Sequence, residues 1–325
     1  MKISVAMCTY NGARYLPEQL ESLALQTRLP DELVICDDKS IDQTVNLISD
    51  FAASTSFPVT VQVNKQNLGS TKNFEQAITF CQGDVIALCD QDDVWLPGKL
   101  ACFEHEFARA PEVGLVFTDA EVVDEELRPA GYSLWQKLDF GDRERERLRR
   151  GKGFDALLQG ATVTGATAAF RARFRPLVLP FPDDLPLIHD AWIAVLVAAV
   201  SQVIPVSDRL VRYRQHQGQQ VGALARQGPG PADDSLEEAL WRANPYAEML
   251  AVARAVQRRL TARLEEFDSR KVLPGLEARI THLATRSELP GQRLARPSLV
   301  LRELFSGRYH RHSRGLRSAV KDLLA

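Results

Sequence analysis

The apolar positions of residues 1–100 fall into short runs separated by helix-length amphipathic stretches. Runs at 3–7, 32–36, 59–63 and 85–89 have the length of strands, and the stretches 15–26, 44–53 and 71–81 carry helical spacing. Strand and helix in alternation predict βαβ units and a mainly parallel, Rossmann-like sheet flanked by helices, an α/β fold. Right-handed crossovers then place the strand C-terminal ends on one edge, where open α/β sheets bind ligands. Polar residues follow each run: Thr9-Tyr10-Asn11-Gly12, Asp37-Asp38-Lys39-Ser40, the segment 64–69, and Asp90-Gln91-Asp92-Asp93. Four polar clusters on one edge predict one site.

Beyond Trp95 the pattern loosens, with a helix expected over 99–109 and a strand over 114–118. The highly charged 139–150 reads as a loop or exposed helix. An apolar segment, 156–170, contains Gly160 and Gly165 and leads into a proline-rich connection at 176–186. His189-Asp190 precedes an expected helix over 191–200, followed by strand-like runs at 202–205 and 210–213. Residues 217–234, rich in Gln, Gly, Pro and Ala, read as a mobile loop or linker. From Leu236 the chain reads as helical, with Leu250, Val252, Ala255, Val256, Leu260 and Leu264 in amphipathic register and Pro290 and Pro297 as breaks. The expected organisation is a domain over 1–222 with halves 1–100 and 101–222, a linker at 223–235 and a helical C-terminal extension over 236–325.

Composition adds limits. Of 325 residues, 45% are hydrophobic and 25% charged, the balance of a globular chain that can bury a core. A net charge of −2 gives no global field for recruiting nucleic acid, so no such partner is expected. From Arg293 to Asp322, however, eight Arg or Lys residues face two acids, a local balance of 8 − 2 = +6. That stretch reads either as a solvated helical surface or as a peripheral contact for anionic membrane. The five cysteines are odd in number and without CxxC spacing, which favours reduced thiols in the cytosol. Met1-Lys2 leads directly into a strand-like run, and the longest apolar run, 191–200, is about half of what a spanning helix needs. The expectation is a cytoplasmic protein, soluble or peripheral at the inner face of the membrane.

The acidic tetrad is the first candidate for chemistry. Three carboxylates crowded at a strand end repel one another, which a divalent cation would relieve. Oxygen ligands favour Mg²⁺ or Mn²⁺ over zinc. The alternative is an acidic turn capping the next helix. At the second strand end, one of Asp37 and Asp38 suits the N3–H of a uracil or thymine ring, or both merely cap. Thr9 and Asn11, with Gly12 allowing a tight turn, would set backbone groups against a base or ribose. Asn67-Leu68-Gly69 adds a flexible turn near the same edge.

Together, Val5-Ala6-Met7-Cys8-Thr9-Tyr10-Asn11-Gly12, Asp37-Asp38-Lys39-Ser40-Ile41-Asp42-Gln43-Thr44, Asn67-Leu68-Gly69 with Asn73-Phe74, and Asp90-Gln91-Asp92-Asp93-Val94-Trp95 resemble the family 2 glycosyltransferases of the GT-A fold. The likeness is dense over residues 1–100 and thinner to about 222. It implies a nucleotide-sugar donor held by Thr9, Tyr10, Asn11, Asp37, Asp38, Asn67, Asp90 and Gln91. Asp92, or Asp93 in its place, is implied as the ligand of Mn²⁺ or Mg²⁺. It further implies a catalytic base at the start of a helix about a hundred residues beyond the tetrad, here Asp190. A carboxylate at a helix N-terminus is kept ionised by the helix dipole, which suits proton acceptance.

In Tyr213-Arg214-Gln215-His216, the resemblance implies that His216 joins the metal or diphosphate site, while Arg214 is an alternative phosphate contact. Gly165, His189 and Trp192 are expected on the acceptor side. The chain departs from its relatives in having Ala191 before Trp192 and Gln217-Gly218-Gln219-Gln220 after His216. Asn73-Phe74 and the His-Asp-x-Trp element most resemble bacterial rhamnosyltransferases of surface-polysaccharide synthesis. The expected reaction is inverting transfer from a UDP- or dTDP-sugar, dTDP-L-rhamnose first, to a glycan or lipid-linked glycan. Alternatives are a sugar nucleotidyltransferase and a catalytically silent nucleotide-sugar-binding protein.

Overall fold

The computed structural model describes residues 1–159, 163–183, 187–219, 245–289 and 296–324. Gly160, the expected linker at 223–235, Leu236, Pro290 and Arg293 lie outside the described residues. Those described form two compact units, 1–183 with 187–219, and 245–324.

The first unit opens as the hydrophobic pattern predicts: β1 (Ile3–Thr9), α1 (Leu16–Ala24), β2 (Glu32–Asp37), α2 (Thr44–Ser54), β3 (Val59–Val63), α3 (Ser70–Phe80) and β4 (Val85–Cys89). All residues of β1 and β4 are buried, as expected of strands covered on both faces. In α1, Pro17 occupies the first turn, where its missing N–H costs nothing, and Leu16, Leu20 and Leu23 pack inward. There follow β5 (Val94–Trp95), α4 (Lys99–Arg109), β6 (Val113–Val123), β7 (Pro129–Ser133), α5 (Leu134–Lys137), α6 (Asp142–Arg149) and α7 (Gly153–Gln159). The unit ends with β8 (Ala168–Arg171), α8 (Arg175–Val178), α9 (His189–Val200) and β9 (Gln202–Arg214).

The strands form one nine-stranded sheet in the order β3-β2-β1-β4-β8-β6-β9-β5, with β7 on β6. Six strands run in one direction, while β5, β7 and β8 oppose them. The sheet is therefore mainly parallel. Those three opposing strands are absent from the sequence reading. β5 is two residues long, β7 is mostly exposed and does not alternate, and β8 lies in an apolar run that periodicity cannot divide.

Two further boundaries are corrected. The runs at 202–205 and 210–213 are one strand, which pairs with β6 on either side of an exposed middle where the register shifts. The helix expected from Ala191 begins at His189, so His189 and Asp190 lie in its first turn.

The second unit is helical: α10 (Pro245–Ala262), α11 (Leu273–Ser287), α12 (Pro297–Phe305), α13 (Arg308–His312) and α14 (Leu316–Leu324). A small apolar core of Val300, Tyr309 and Ala319 is joined by buried polar pairs. Arg286 spans both carboxylate oxygens of Asp322 at 2.7 and 2.9 Å, Tyr309 Oη donates to Asp322 at 2.6 Å, and His282 Nδ1 lies 3.0 Å from Glu303. Buried charges that find partners in this way fix which helices meet.

At Gly114 in β6, a Cβ would lie 2.6 to 2.7 Å from Ser201 Oγ, Phe174 and Val197. Gly114→Ala is accordingly expected to lower unfolding free energy by about 1–3 kcal/mol. Denaturant unfolding checks this, and an unchanged midpoint would refute the close approach.

Candidate functional site

The C-terminal ends of β1, β2 and β4 lie side by side, with Thr9 opposite Asp37 and Met7 opposite Cys89. The turns leaving them, with residues near the start of α9 and the end of β9, enclose a cavity of about 490 Å³.

At one end the wall is built around Asp38. Its Oδ1 accepts from Asn64 Nδ2 at 2.9 Å and Leu68 N at 2.8 Å, and its Oδ2 from Gly69 N at 2.8 Å. Gly69 has φ of +80°, a backbone conformation open to glycine, and this aims its N–H at the carboxylate. Asn73, inside α3, holds Asn64 through its Oδ1 at 2.9 Å and Cys36 O through its Nδ2 at 2.7 Å. Three donors fill most of the four acceptor positions of Asp38 and leave capacity on Oδ2. Thr9, Tyr10 and Asn67 also line the cavity.

Asp37 and Asn11 do not line it, contrary to the expectation that they contact a ligand directly. Asp37 is one residue from Asp38 and points to the other face. There it accepts from Thr9 Oγ1 at 2.8 Å and from Ser40 N and Oγ at 2.8 and 2.6 Å. Asn11 ties the first turn to the second, donating its N–H to Ser40 Oγ at 2.8 Å and accepting from Ile41 N at 2.9 Å. Gln91 clamps Tyr10, accepting from its N–H at 2.9 Å and donating to its carbonyl at 3.1 Å. A Cβ on Gly12 would sit 2.1 Å from Gln91 Oε1, so the glycine is needed for that clamp.

The tetrad divides by direction. Asp90, Gln91 and Asp92 line the cavity, as does His216, whose Nε2 lies 2.8 Å from Asp92 Oδ2. Gly218 N–H donates to His216 Nδ1 at 3.2 Å, which leaves the ring proton on Nε2, facing Asp92. Asp93 lies outside the cavity wall. Its carboxylate is fully buried, Oδ1 accepts from Arg214 N at 2.9 Å, and Oδ2 has no hydrogen-bond partner among the described residues. Burial, with Asp92 and Asp190 nearby, raises the Asp90 carboxyl to about 7. Asp93 is pushed up by burial and by Asp92 and Asp90.

Negative charge this poorly compensated fits a cation. Among the described residues no group of three or more His, Cys, Asp or Glu side chains is arranged to hold a metal. Asp92 and His216 would thus contribute two donors, with the remaining positions left to substrate oxygens and water, the habit of Mg²⁺-type sites. Ligation through His216 Nε2 would take the other tautomer, with the ring proton on Nδ1 in place of the Gly218 hydrogen bond.

Across the cavity stands Asp190, in the first turn of α9. Its Oδ2 accepts from Gly165 N at 2.8 Å and its Oδ1 from Ala191 N at 2.5 Å. Gly165 does not line the cavity, whereas Thr164 does. His189 also lines it and stacks on Phe74 with ring centroids 4.1 Å apart. Trp192 does not: it is fully buried and donates from Nε1 to Val178 O at 2.9 Å. Two residues along a helix is a turn of about 200°, so Trp192 cannot share a face with Asp190.

One residue beside the site was not singled out by sequence, and one singled out is placed differently. Lys99, at the start of α4, is fully buried, lies 3.4 Å above the Trp95 ring and donates to Ala166 O. Burial lowers its ammonium to about 7, against the pull of Cys89, Asp93 and Asp90. A lysine on an amphipathic helix ordinarily reads as surface, so no local signal marked it. Arg214, expected as a phosphate contact, is instead buried within the protein. It donates to Asp92 O at 2.7 Å, pairs with Glu18, reaches Glu125 O and lies over the Tyr15 ring at 4.6 Å.

Burial holds the His189 imidazole down at about 3, so it stays neutral at physiological pH. The folded state then binds fewer protons than the unfolded state between pH 3 and 6.5, and stability falls on acidification through that range. Relative to His189→Phe, the wild type is expected to lose up to ~1.4 kcal/mol per pH unit below about pH 6.5. Urea unfolding at several pH values reads this, and parallel curves for the two proteins would contradict a neutral buried imidazole.

A sequence profile of glycosyl transferase family 2 matches residues 4–175. An uncharacterized protein of Mycobacterium tuberculosis is 27% identical over 219 residues, 66% of this chain and 59% of that one, so this chain spans well under two thirds of such relatives. Among solved structures, Staphylococcus aureus TarS 1–349 in complex with UDP-GlcNAc superposes with a TM-score of 0.54 and 18% identity, over 98% of this chain and 90% of that one. The mannosyltransferase PcManGT from Pyrobaculum calidifontis, in complex with GDP-Man and Mn²⁺, gives 0.52 and 19% over 99% and 85%. At such identities the likeness is one of fold, that of the GT-A glycosyltransferases. With more than half its length matched, the chain belongs to glycosyl transferase family 2.

Proposed function

We propose that the protein is an inverting, divalent-cation-dependent glycosyltransferase. It would move a sugar from a UDP- or dTDP-sugar to a hydroxyl of a glycan or lipid-linked glycan in surface-polysaccharide synthesis. The observation that carries this reading is that Asp38, the Asp92–His216 pair and Asp190 face a single cavity. TarS with UDP-GlcNAc and PcManGT with GDP-Man and Mn²⁺ support a nucleotide-sugar donor and a cation by analogy of fold. The likeness of Asn73-Phe74 and His189-Asp190-Ala191-Trp192 to rhamnosyltransferases makes dTDP-L-rhamnose the first donor to test. Five free cysteines suit a reducing, cytoplasmic setting. In this reading residues 1–222 are the catalytic domain and 236–325 a helical extension.

Placement around the cavity supports each role. Asp38 accepts the ring N–H of the base on its remaining Oδ2 position, while Thr9, Tyr10 and Asn67 border the nucleoside. Asp92 and His216 would hold Mn²⁺ or Mg²⁺, which when bound would neutralise charge on the departing nucleoside diphosphate. Asp190 takes the acceptor's proton as its hydroxyl oxygen bonds to the anomeric carbon. The bond to the diphosphate breaks on the opposite side, inverting that centre. The Gly165 N–H fixes Asp190 Oδ2 for this task. His189 is neutral and therefore shapes the acceptor wall without competing for the proton.

Asp190→Asn is expected to lower kcat by about 100-fold or more while donor affinity holds. Single-turnover assays read this, and a wild-type rate would remove Asp190 as the base. Chelation of divalent metal should abolish turnover, and Asp92→Asn or His216→Ala should weaken Mn²⁺ binding at least about tenfold. Titration of Mn²⁺ with nucleoside diphosphate present is the check, and unchanged affinity in both variants would overturn the metal assignment.

A further inference from the structure

Five of the thirteen exposed large apolar side chains among the described residues fall within the last three helices and their connections: Leu301, Phe305, Leu316, Val320 and Leu324. Phe305 is 86% exposed and Leu324 65%. Their spacing is helical. Leu316, Val320 and Leu324 stand at i, i+4 and i+8 on α14, and Leu301 and Phe305 at i and i+4 on α12, so each helix keeps one apolar stripe outside the core. The core itself takes other residues of the same helices, Val300, Leu304, Ala319 and Leu323. The two helices pack against each other, so the stripes are carried by neighbours.

The charges around these stripes have one sign. Arg302, Arg311, Arg314, Arg317 and Lys321 are exposed. The two acids of this segment, Glu303 and Asp322, are buried and engaged by Arg308 and Arg286. Arg302 follows Leu301, and Arg317 and Lys321 follow Leu316 and Val320, so on both helices cations flank the apolar stripe.

We infer that α12 and α14 form a docking surface for an anionic lipid bilayer, with the apolar stripes entering the interface and the flanking Arg and Lys side chains on lipid phosphates. Amphipathic helices with basic flanks bind membranes through these two terms together. A solvated surface tolerates single exposed apolar side chains, as Ile41 shows at 88%, but two apolar stripes on neighbouring helices form a contiguous patch that calls for a partner. A second copy of the chain would bring two cationic faces together, which like-charge repulsion opposes. A nucleic acid would meet the cations but leave the leucine and valine stripes uncovered. The inference stands apart from the proposed transfer reaction, because none of these residues lines the cavity.

Co-sedimentation of the full chain with vesicles tests it. Binding is expected with equal parts phosphatidylcholine and phosphatidylglycerol, is weakened by salt, and is absent with phosphatidylcholine alone. Phe305→Asp with Val320→Asp, and separately Arg314→Glu with Arg317→Glu, should each lower the partition coefficient about tenfold or more. Both pairs are exposed, so melting temperature and donor turnover in solution should hold, which separates loss of docking from loss of folding or catalysis. Equal binding to neutral vesicles, or anionic binding unaffected by both double variants, would overturn the inference. So would absence of vesicle binding together with a dimer in sedimentation velocity that Phe305→Asp dissolves, or with binding to single-stranded RNA.

Discussion

The site depends on carboxylates crowded where β4 ends. Asp90, Asp92 and Asp93 are consecutive but for Gln91, and Asp190 adds its field from α9. The protein supplies partial relief only. Lys99 sits beneath them, yet its own burial drives it toward the neutral form. Arg214 spends its guanidinium on Glu18 and on the carbonyls of Asp92 and Glu125. What remains are crowded carboxyls, Asp90 and Asp93, that burial and mutual repulsion push toward the protonated form beside a cavity with Asp92 and His216 on its wall. A fold that keeps this arrangement stores electrostatic cost that a bound cation would remove.

The sheet is what makes the crowding useful. Parallel β2, β1 and β4 bring Asp38, Thr9 and the tetrad to one edge, and β9, parallel to β6, delivers Arg214 and then His216 to the same place from far along the chain. Antiparallel β8 is short, and the 3-10 turn at Gly165–Thr167 just before it lets Gly165 reach Asp190. Positioning groups outnumber those that face the cavity. Asn64 and Asn73 hold Asp38, Gln91 holds Tyr10, Asp37 and Asn11 join two turns, and Arg214 holds the backbone of the tetrad.

Much of this was legible in the chain. Alternating strand and helix periods defined the first four strands, and polar residues at their ends marked the edge on which Asp38, Asp90 and Asp92 stand. The resemblance extended the reading to Asp190 and His216, which face the same cavity. Adjacent residues of one cluster were harder to separate. Asp37 from Asp38, and Asp92 from Asp93, differ by which way a strand end turns, and sequence spacing does not encode that. Trp192 was misplaced because helical rotation, not adjacency, decides who shares a face with Asp190. Lys99 and Arg214 gave no sign of burial, since each resembles a surface cation until distant partners close around it. In the helical unit, composition showed the +6 excess, but only folding revealed that both acids turn inward.

Proton NMR of histidine-labelled protein, with Mn²⁺ added in the presence of UDP, tests the central claim most directly. A cation held at the wall formed by Asp92 should broaden the His216 ring resonances first, at the lowest Mn²⁺ added. Asp92→Asn should suppress the effect. Sharp His216 resonances at saturating Mn²⁺ and UDP, or broadening that Asp92→Asn leaves intact, would contradict a cation-assisted nucleotide site in this cavity.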